Sequence, residues 1–285
     1  VLRVEDLDRP RVVPGSEERQ REDLAWLGLD WDEEPGMAGA AGPYRQSERT
    51  AIYDDAISDL GAQGRTYPCD CSRAEIARVA SAPHEGEEVA YPGTCRDKDP
   101  DRSLRRPPAI RLRLEARDAI AWADGVAGPV DPRAVHATGD FVLRRGDGVF
   151  AYQLAVSVDD LAMGITAVVR GEDLLASTPR QLLLMDLWRS HGALAWARGR
   201  PSPRYWHLPL VRDADGARLA KRTPRSTVRE LRAEGVSAAA VIGQLGYGLG
   251  LQPSPVATTA RDLVSQAHAT PRFRDEAWAI PASWA

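Results

Sequence analysis

Apolar residues recur along this chain with two different periods, and the switches between them outline its elements. Val1–Val4 reads as a strand end that runs into the acidic turn Glu5-Asp6-Leu7-Asp8. A helix is expected from Ser16 as N-cap, with Glu17 and Glu18 in its first turn, Leu24 and Leu27 on one face, and Gly28 as its stop. A second helix is expected from Ser47, where Ile52, Ala56, Ile57 and Leu60 follow helical spacing and Gly64 ends the run. The stretch 67–100 loses this periodicity, apart from one short helix behind the capping pair Ser72 and Glu75. Ile110–Leu114 then alternates apolar residues with Arg, as a half-buried strand does. Phe141–Arg145, the turn Gly146-Asp147-Gly148 and Val149–Val156 read as a hairpin. Ile165–Val169 suits a buried parallel strand, followed by a helix with Thr178 as N-cap and Pro179 behind it, up to Gly192. Thr227 and Glu230 cap a further helix, an Ala-rich helix spans 237–246, and the tail from Pro253 is weakly patterned. No repeat of fixed period is present. Strands alternating with helices predict a parallel sheet with ligands at the carboxyl ends of its strands.

Composition narrows the class. The 285 residues are 43% hydrophobic and 27% charged, which excludes wholesale disorder, a collagen-like chain and a disulfide scaffold. No apolar run approaches the roughly 18–20 residues that span a bilayer, and the opening residues have no apolar h-region. A cytoplasmic protein without membrane contact is the expectation. The net charge of −4 and pI near 5.8 mean that any nucleic-acid contact must come from a local, salt-sensitive patch.

The three cysteines fall between positions 69 and 95, as Cys69-x-Cys71 and Cys95. They read as a metal site or as free thiols in a reducing compartment. Three thiolates in a Gly/Pro-rich loop suit one structural zinc ion, which needs a fourth ligand. His84 fits zinc's preference for nitrogen; the Tyr91 phenolate is the alternative. Without metal, the thiols would pack as small hydrophobes.

Two strand ends carry complementary charge. Glu5 can accept hydrogen bonds from an ammonium group, while Arg170 can grip a carboxylate through two parallel hydrogen bonds. Tyr152, expected in the strand before Arg170, adds a phenolic hydroxyl. Together they could hold a zwitterion such as an amino acid. The plainer alternative is two surface ion pairs and a core aromatic. A basic strip lies further on, in Arg218-Leu219-Ala220-Lys221-Arg222 with Arg225, Arg229 and Arg232, suited to the phosphates of a nucleotide or to a solvated helix start. Lys98 and Lys221 are the only lysines. Neither a Walker loop nor GxGxxG occurs.

These motifs, in this order, resemble the glutamyl-tRNA synthetase group of class I aminoacyl-tRNA synthetases. The resemblance rests on Arg3-Val4-Glu5-Asp6-Leu7-Asp8-Arg9-Pro10-Arg11, Tyr44-Arg45-Gln46-Ser47 and the set Cys69, Cys71, Tyr91, Cys95. It continues through Tyr152-Gln153-Leu154-Ala155, Val158-Asp159-Asp160 and Val169-Arg170-Gly171-Glu172-Asp173-Leu174 to His207-Leu208-Pro209-Leu210 and Arg218–Arg222. It covers Val1 to about Gly250.

The resemblance implies an α/β fold: a class I Rossmann-type parallel sheet, an inserted zinc-binding subdomain and a short helical C-terminal part, without an anticodon-binding domain. The expected parts are 1–66 and 109–210 for the catalytic domain, 67–108 for the zinc insertion and 211–285 for the nucleotide loop and C-terminal region. It implies Cys69, Cys71, Tyr91 and Cys95 as the zinc ligands, favouring Tyr91 over His84. Glu5, Tyr152 and Arg170 fall on the glutamate-binding positions. Lys221 falls on the second lysine of the Lys-Met-Ser-Lys-Ser loop, the ATP-contacting catalytic lysine, while Arg218 and Ala220 depart from that loop's fullest form. The short segment after Arg222 points to the branch that activates L-glutamate with Mg²⁺–ATP, without tRNA. That branch attaches glutamate to the queuosine base of tRNA(Asp). A monomer is expected. The family's first strand and His-Ile-Gly-His-type motif would precede Val1, so the chain is expected to be a fragment. Two rivals are a truncated enzyme charging tRNA(Glu) and a non-catalytic paralogue binding RNA or a protein partner.

Overall fold

In the computed structural model, which describes residues 1–79, 90–212, 227–266, 273–274, 278–279 and 281, the opening strand is reduced to one bridge. Val4 pairs in parallel with Arg45, and the Gln46 amide donates to the Val4 carbonyl. Helix α1 (Ser16–Trp26) is entered through Gly15 at φ 72°, a left-handed residue, so Ser16 is not its N-cap. The Ser16 hydroxyl instead accepts from Gln20 Nε2 at 2.9 Å. Helix α2 (Thr50–Ala62) starts three residues after the expected Ser47. Asp6 is the reason: its carboxylate accepts from Ser47 N and Oγ at 2.9 and 2.7 Å, which holds Gln46–Glu48 in a separate 3-10 turn. Of the predicted apolar face of α2, Ala56, Ile57 and Leu60 are buried and Ile52 is half-buried; Tyr53, outside the expected set, is fully buried.

Next come β1 (Thr66–Cys69), α3 (Arg73–Val79) and β2 (Ala109–Leu112), with the Ser72–Glu75 capping pair formed in both directions. The alternation expected over 110–114 does not separate buried from exposed residues. Arg111 is buried together with Leu112 because its guanidinium stacks on the Tyr91 ring and donates to the Asp140 carbonyl at 2.8 Å. A small antiparallel pair, β3 (Trp122–Asp124) and β4 (Gly128–Val130), precedes β5 (Val142–Arg144), and β1, β2 and β5 form one antiparallel sheet.

The expected hairpin closes at Arg145 and Val149, with one bridge between Arg144 and Phe150, but no second strand follows. Residues Tyr152–Ala162 form helix α4. It packs against α2 and α5, and its unbroken buried run Leu154–Leu161 leaves no exposed stripe to give a helical period. Strand β6 (Ala167–Gly171), helix α5 (Thr178–Ser190) and strand β7 (Arg204–Leu208) form a parallel crossover unit, with Arg170 opposite His207. Strand β6 is not the buried strand expected, since Val169 is 52% exposed. Thr178 is the first residue of α5 rather than its cap, and its hydroxyl serves Arg170 and His207.

Strand β8 (Val211–Arg212), helices α6 (Val228–Ala233), α7 (Ala238–Gly248) and α8 (Ala260–Gln266), and strand β9 (Trp278–Ala279) complete the described elements. The Thr227–Glu230 capping box heads α6. Among the described residues, parallel pairing is confined to β6–β7, β8–β9 and the Val4–Arg45 bridge, less than the extended parallel sheet expected. The main core joins α2, α4 and α5 to Leu112, Leu143, Phe150 and Tyr205. A second cluster joins Leu27 to α6, α7 and α8. No helix of the described residues is long and apolar enough to cross a membrane.

Candidate functional site

The carboxyl end of β6 and the first turn of α4 meet the acidic turn in an open cleft of ≈ 410 Å³. Glu5, Tyr152 and Arg170 all line it, with Arg3 and Asp160 behind. Tyr152 reaches the cleft from a helix, not a strand, and is 40% exposed, so it is no core aromatic. Glu5 Oε1 accepts from Arg3 Nη2 at 3.0 Å, and Arg3 Nη1 donates to Asp160 Oδ1 at 2.7 Å. Burial pushes the Asp160 carboxyl above its ordinary value, although Arg3 opposes this.

Arg170 is committed on most of its donors. Its Nε donates to His207 Nε2 at 3.0 Å, and its Nη2 to Thr178 Oγ1 and Gln181 Oε1 at 2.7 and 2.8 Å. Only Nη1 turns towards the cleft, with the Tyr152 hydroxyl at 3.4 Å. The expected two-bond grip of a carboxylate along one guanidinium edge is therefore unavailable here, because each edge includes an occupied nitrogen. Nη1 is the guanidinium nitrogen left facing the cleft. Burial and the nearby Arg170 charge hold the His207 imidazole below its ordinary value, against the opposing pull of Asp124.

The sequence reading missed His207 and Asp124 as site residues. His207 was visible only inside His207-Leu208-Pro209-Leu210, and nothing in the pattern pointed to Asp124. The nucleotide loop Arg218, Leu219, Ala220, Lys221 and Arg222 lies outside the described residues, as does His84.

The cysteine cluster is assembled. The three Sγ atoms lie within 4.8 Å of one another, with Cys71 and Cys95 sulfurs 3.5 Å apart. Tyr91 joins them: Cys69 Sγ donates to its hydroxyl at 3.3 Å, and the Cys95 amide does so at 2.8 Å. A tetrahedral zinc with bonds of about 2.3 Å to sulfur and about 2.0 Å to oxygen needs S···S and S···O separations near 3.8 and 3.5 Å, so this donor set fits the ion. Burial and the neighbouring Cys95 and Cys69 sulfurs push the Cys71 thiol up to about 12, a crowding that a divalent cation would reverse. Asp70 is held well below the carboxylate range by Arg105 and Arg102, and it accepts from Cys95 Sγ at 3.5 Å.

A family model, tRNA synthetases class I (E and Q), catalytic domain, matches residues 1–276. The chain belongs to this family. It is 49% identical over 265 residues to the glutamyl-Q tRNA(Asp) synthetase of Symbiobacterium thermophilum, covering 90% of this chain and 78% of that protein. It is 47% identical to the enzyme of the same name from Nocardia farcinica, covering 90% and 75%. Glutamate–tRNA ligase 1 of Halorhodospira halophila is 39% identical, over 86% of this chain and 50% of the ligase. A crystal structure of the glutamate tRNA ligase from Elizabethkingia meningosepticum, in complex with its amino acid, superposes with a TM-score of 0.77 at 26% identity. That match covers 99% of this chain, which spans 60% of the ligase. This class I synthetase fold thus carries both the cleft and the cysteine cluster.

Proposed function

We propose that this class I synthetase chain activates L-glutamate with ATP, without tRNA, and transfers it to the queuosine base of tRNA(Asp). The observation that carries the reading is one cleft with an anionic Glu5, a cationic Arg170 and the Tyr152 hydroxyl on its walls. Relatives covering most of this chain bear the name glutamyl-Q tRNA(Asp) synthetase. Glu5 receives the substrate ammonium, and Arg170 Nη1 with Tyr152 receives a carboxylate. This fixes the α-carboxylate for attack on the α-phosphorus of Mg²⁺–ATP. The new carboxylate–phosphorus bond forms as the bond to pyrophosphate breaks. A hydroxyl of the modified base then attacks the glutamyl carbonyl, loses its proton, and expels AMP to leave an ester. Such catalysis works by positioning and charge stabilisation, with Lys221 offsetting phosphate charge.

Cys69, Cys71, Tyr91 and Cys95 would hold a structural zinc, which ties the loop at Tyr91–Cys95 to β1. In this reading 67–108 is a zinc insertion between catalytic parts 1–66 and 109–210, and 211–285 carries the nucleotide loop and C-terminal helices. The chain works as a cytoplasmic monomer.

The test is glutamate-dependent ATP–pyrophosphate exchange without tRNA, followed by transfer of labelled glutamate to tRNA(Asp) with and without queuosine. Exchange lost in Arg170→Ala, with label stable only on queuosine-bearing tRNA, is the expected result. Charging of tRNA(Glu) is the alternative, weakened by the higher identity to glutamyl-Q tRNA(Asp) synthetases than to a glutamate–tRNA ligase. Exchange that appears only with tRNA(Glu) would replace the first reading by this alternative.

A further inference from the structure

The Arg170 side chain is aimed by a second row of residues that takes no part in the cleft itself. Three elements converge on it. Asp124, at the end of β3, anchors the row: its Oδ1 accepts from the amides of Val126, Ala127 and His207 at 2.9, 3.0 and 3.2 Å. Its other oxygen, Oδ2, accepts from His207 Nδ1 at 2.7 Å. His207 Nε2 then faces Arg170 Nε and Thr178 Oγ1, each at 3.0 Å. An arginine Nε can only donate, so Nε2 must be the bare nitrogen and Nδ1 must carry the proton. The Tyr205 ring stacks on the imidazole at 6.0 Å and Trp122 meets its edge, so the ring has little freedom to turn.

We infer that His207, held in its Nδ1–H tautomer by Asp124, is a positioning residue that directs Arg170 Nη1 at the substrate carboxylate. This rests on the glutamate reading of the cleft. Without the His207 acceptor, Arg170 Nε loses its buried partner, and the guanidinium is anchored only at Nη2, by Thr178 and Gln181, which leaves the direction of Nη1 less well fixed. The three backbone donors on Asp124 Oδ1 make the inference sharper. In Asp124→Asn they select the amide oxygen, which turns the amide N–H₂ towards His207 Nδ1. The imidazole must then move its proton to Nε2, where it confronts the Arg170 N–H. A near-isosteric change two residues removed from the substrate should therefore disturb glutamate binding.

The charged groups facing His207 are Asp124 from β3, Arg170 from β6 and Asp173 from the turn before α5; Thr178 and Gln181 of α5 are neutral. Protonation at Nε2 opposes the Arg170 contact, so glutamate affinity should fall in acid, below the ordinary imidazole range of about 6.5.

The experiment measures glutamate Kd by calorimetry and kcat and KM by pyrophosphate exchange, across pH, for six proteins: wild type, Arg170→Ala, His207→Leu, His207→Gln, Asp124→Asn and the His207→Gln/Asp124→Asn double variant. Urea midpoints serve as the folding control. His207→Leu and Asp124→Asn should raise glutamate Kd and KM about tenfold, the effect of losing one hydrogen bond to a charged group, with kcat little changed. His207→Gln restores an acceptor and should recover affinity but lose the acid limb of the pH profile. In the His207→Gln background, which has no tautomer to flip, Asp124→Asn should add little. If Arg170→Ala weakens glutamate while Asp124→Asn and His207→Leu do not, the positioning role is overturned and the glutamate reading stands. If Arg170→Ala leaves glutamate affinity unchanged, both fall.

Discussion

Asp159→Ala should cost this protein about 3–5 kcal/mol, a large share of the roughly 5–15 kcal/mol that holds a folded domain together. The Asp159 carboxylate is fully buried on α4. It accepts from Arg49 Nε at 2.7 Å, from Gln46 Nε2 at 2.9 Å and from the Tyr53 hydroxyl at 2.9 Å. Arg49 is itself buried, and its Nη1 donates to the Ala41 and Pro43 carbonyls at 3.1 and 2.9 Å. One carboxylate thus ties α4 to α2 and to the loop before it. Truncation leaves a guanidinium without its counter-charge in a site water does not reach, and strands two neutral donors beside it. That is why the cost lies near the range for breaking a buried pair rather than near one ordinary hydrogen bond, about 1 kcal/mol. The assay is urea unfolding followed by far-ultraviolet dichroism and by the fluorescence of the 8 tryptophans. The exposed pair Asp54–Arg144, at 2.8 Å, supplies the comparison, and Asp54→Ala should cost no more than about 1 kcal/mol. Adding Arg49→Met to Asp159→Ala should recover part of the loss, because an apolar side chain removes the stranded charge. A loss below about 1 kcal/mol for Asp159→Ala at unchanged m would refute the reasoning.

His207 makes stability pH-dependent. Its folded value is depressed and its unfolded value is about 6.5, so the unfolded chain binds more protons in the window just below that pH. Stability from this residue is therefore present above pH 6.5 and lost as the pH falls towards the folded value; urea titrations of wild type and His207→Gln should diverge there. Cys95→Ser should lower the zinc retained after dialysis against a weak chelator, read by elemental analysis; equal zinc in both proteins would remove Cys95 from the ligand set. Gly125→Ala should destabilise by about 1–3 kcal/mol in the same urea assay, because a Cβ there overlaps the indole of the buried Trp206.

What the sequence made legible follows from which residues announce their burial. In α2 the apolar residues fall on one face, so spacing alone located Ala56, Ile57 and Leu60 in its core, while Tyr53 is buried there in place of the half-buried Ile52. The capping pairs at Ser72 and Thr227 were equally readable, because each is a local exchange between side chain and backbone. The first part of α4, up to Val156, reads as a strand for the opposite reason: the helix is surrounded, and Asp159 and Asp160 are as buried as Leu154 and Leu161. Polar residues inside a core break the pattern that pattern-reading depends on, and their partners are remote in sequence. Arg49 and Gln46 lie more than 100 residues from Asp159, and Asp124 lies 83 from His207. The same logic applies at the cleft. Glu5, Tyr152 and Arg170 could be singled out because their charge or motif stands out locally. His207 and Asp124, which decide where Arg170 points, carry no such mark. Their role exists only in the order of donors and acceptors running from three backbone amides, through a carboxylate and an imidazole, to one guanidinium nitrogen. A site of this kind has a legible front row and an illegible second row. Substitutions in the second row are therefore the ones by which the front row's assigned chemistry is most sharply tested.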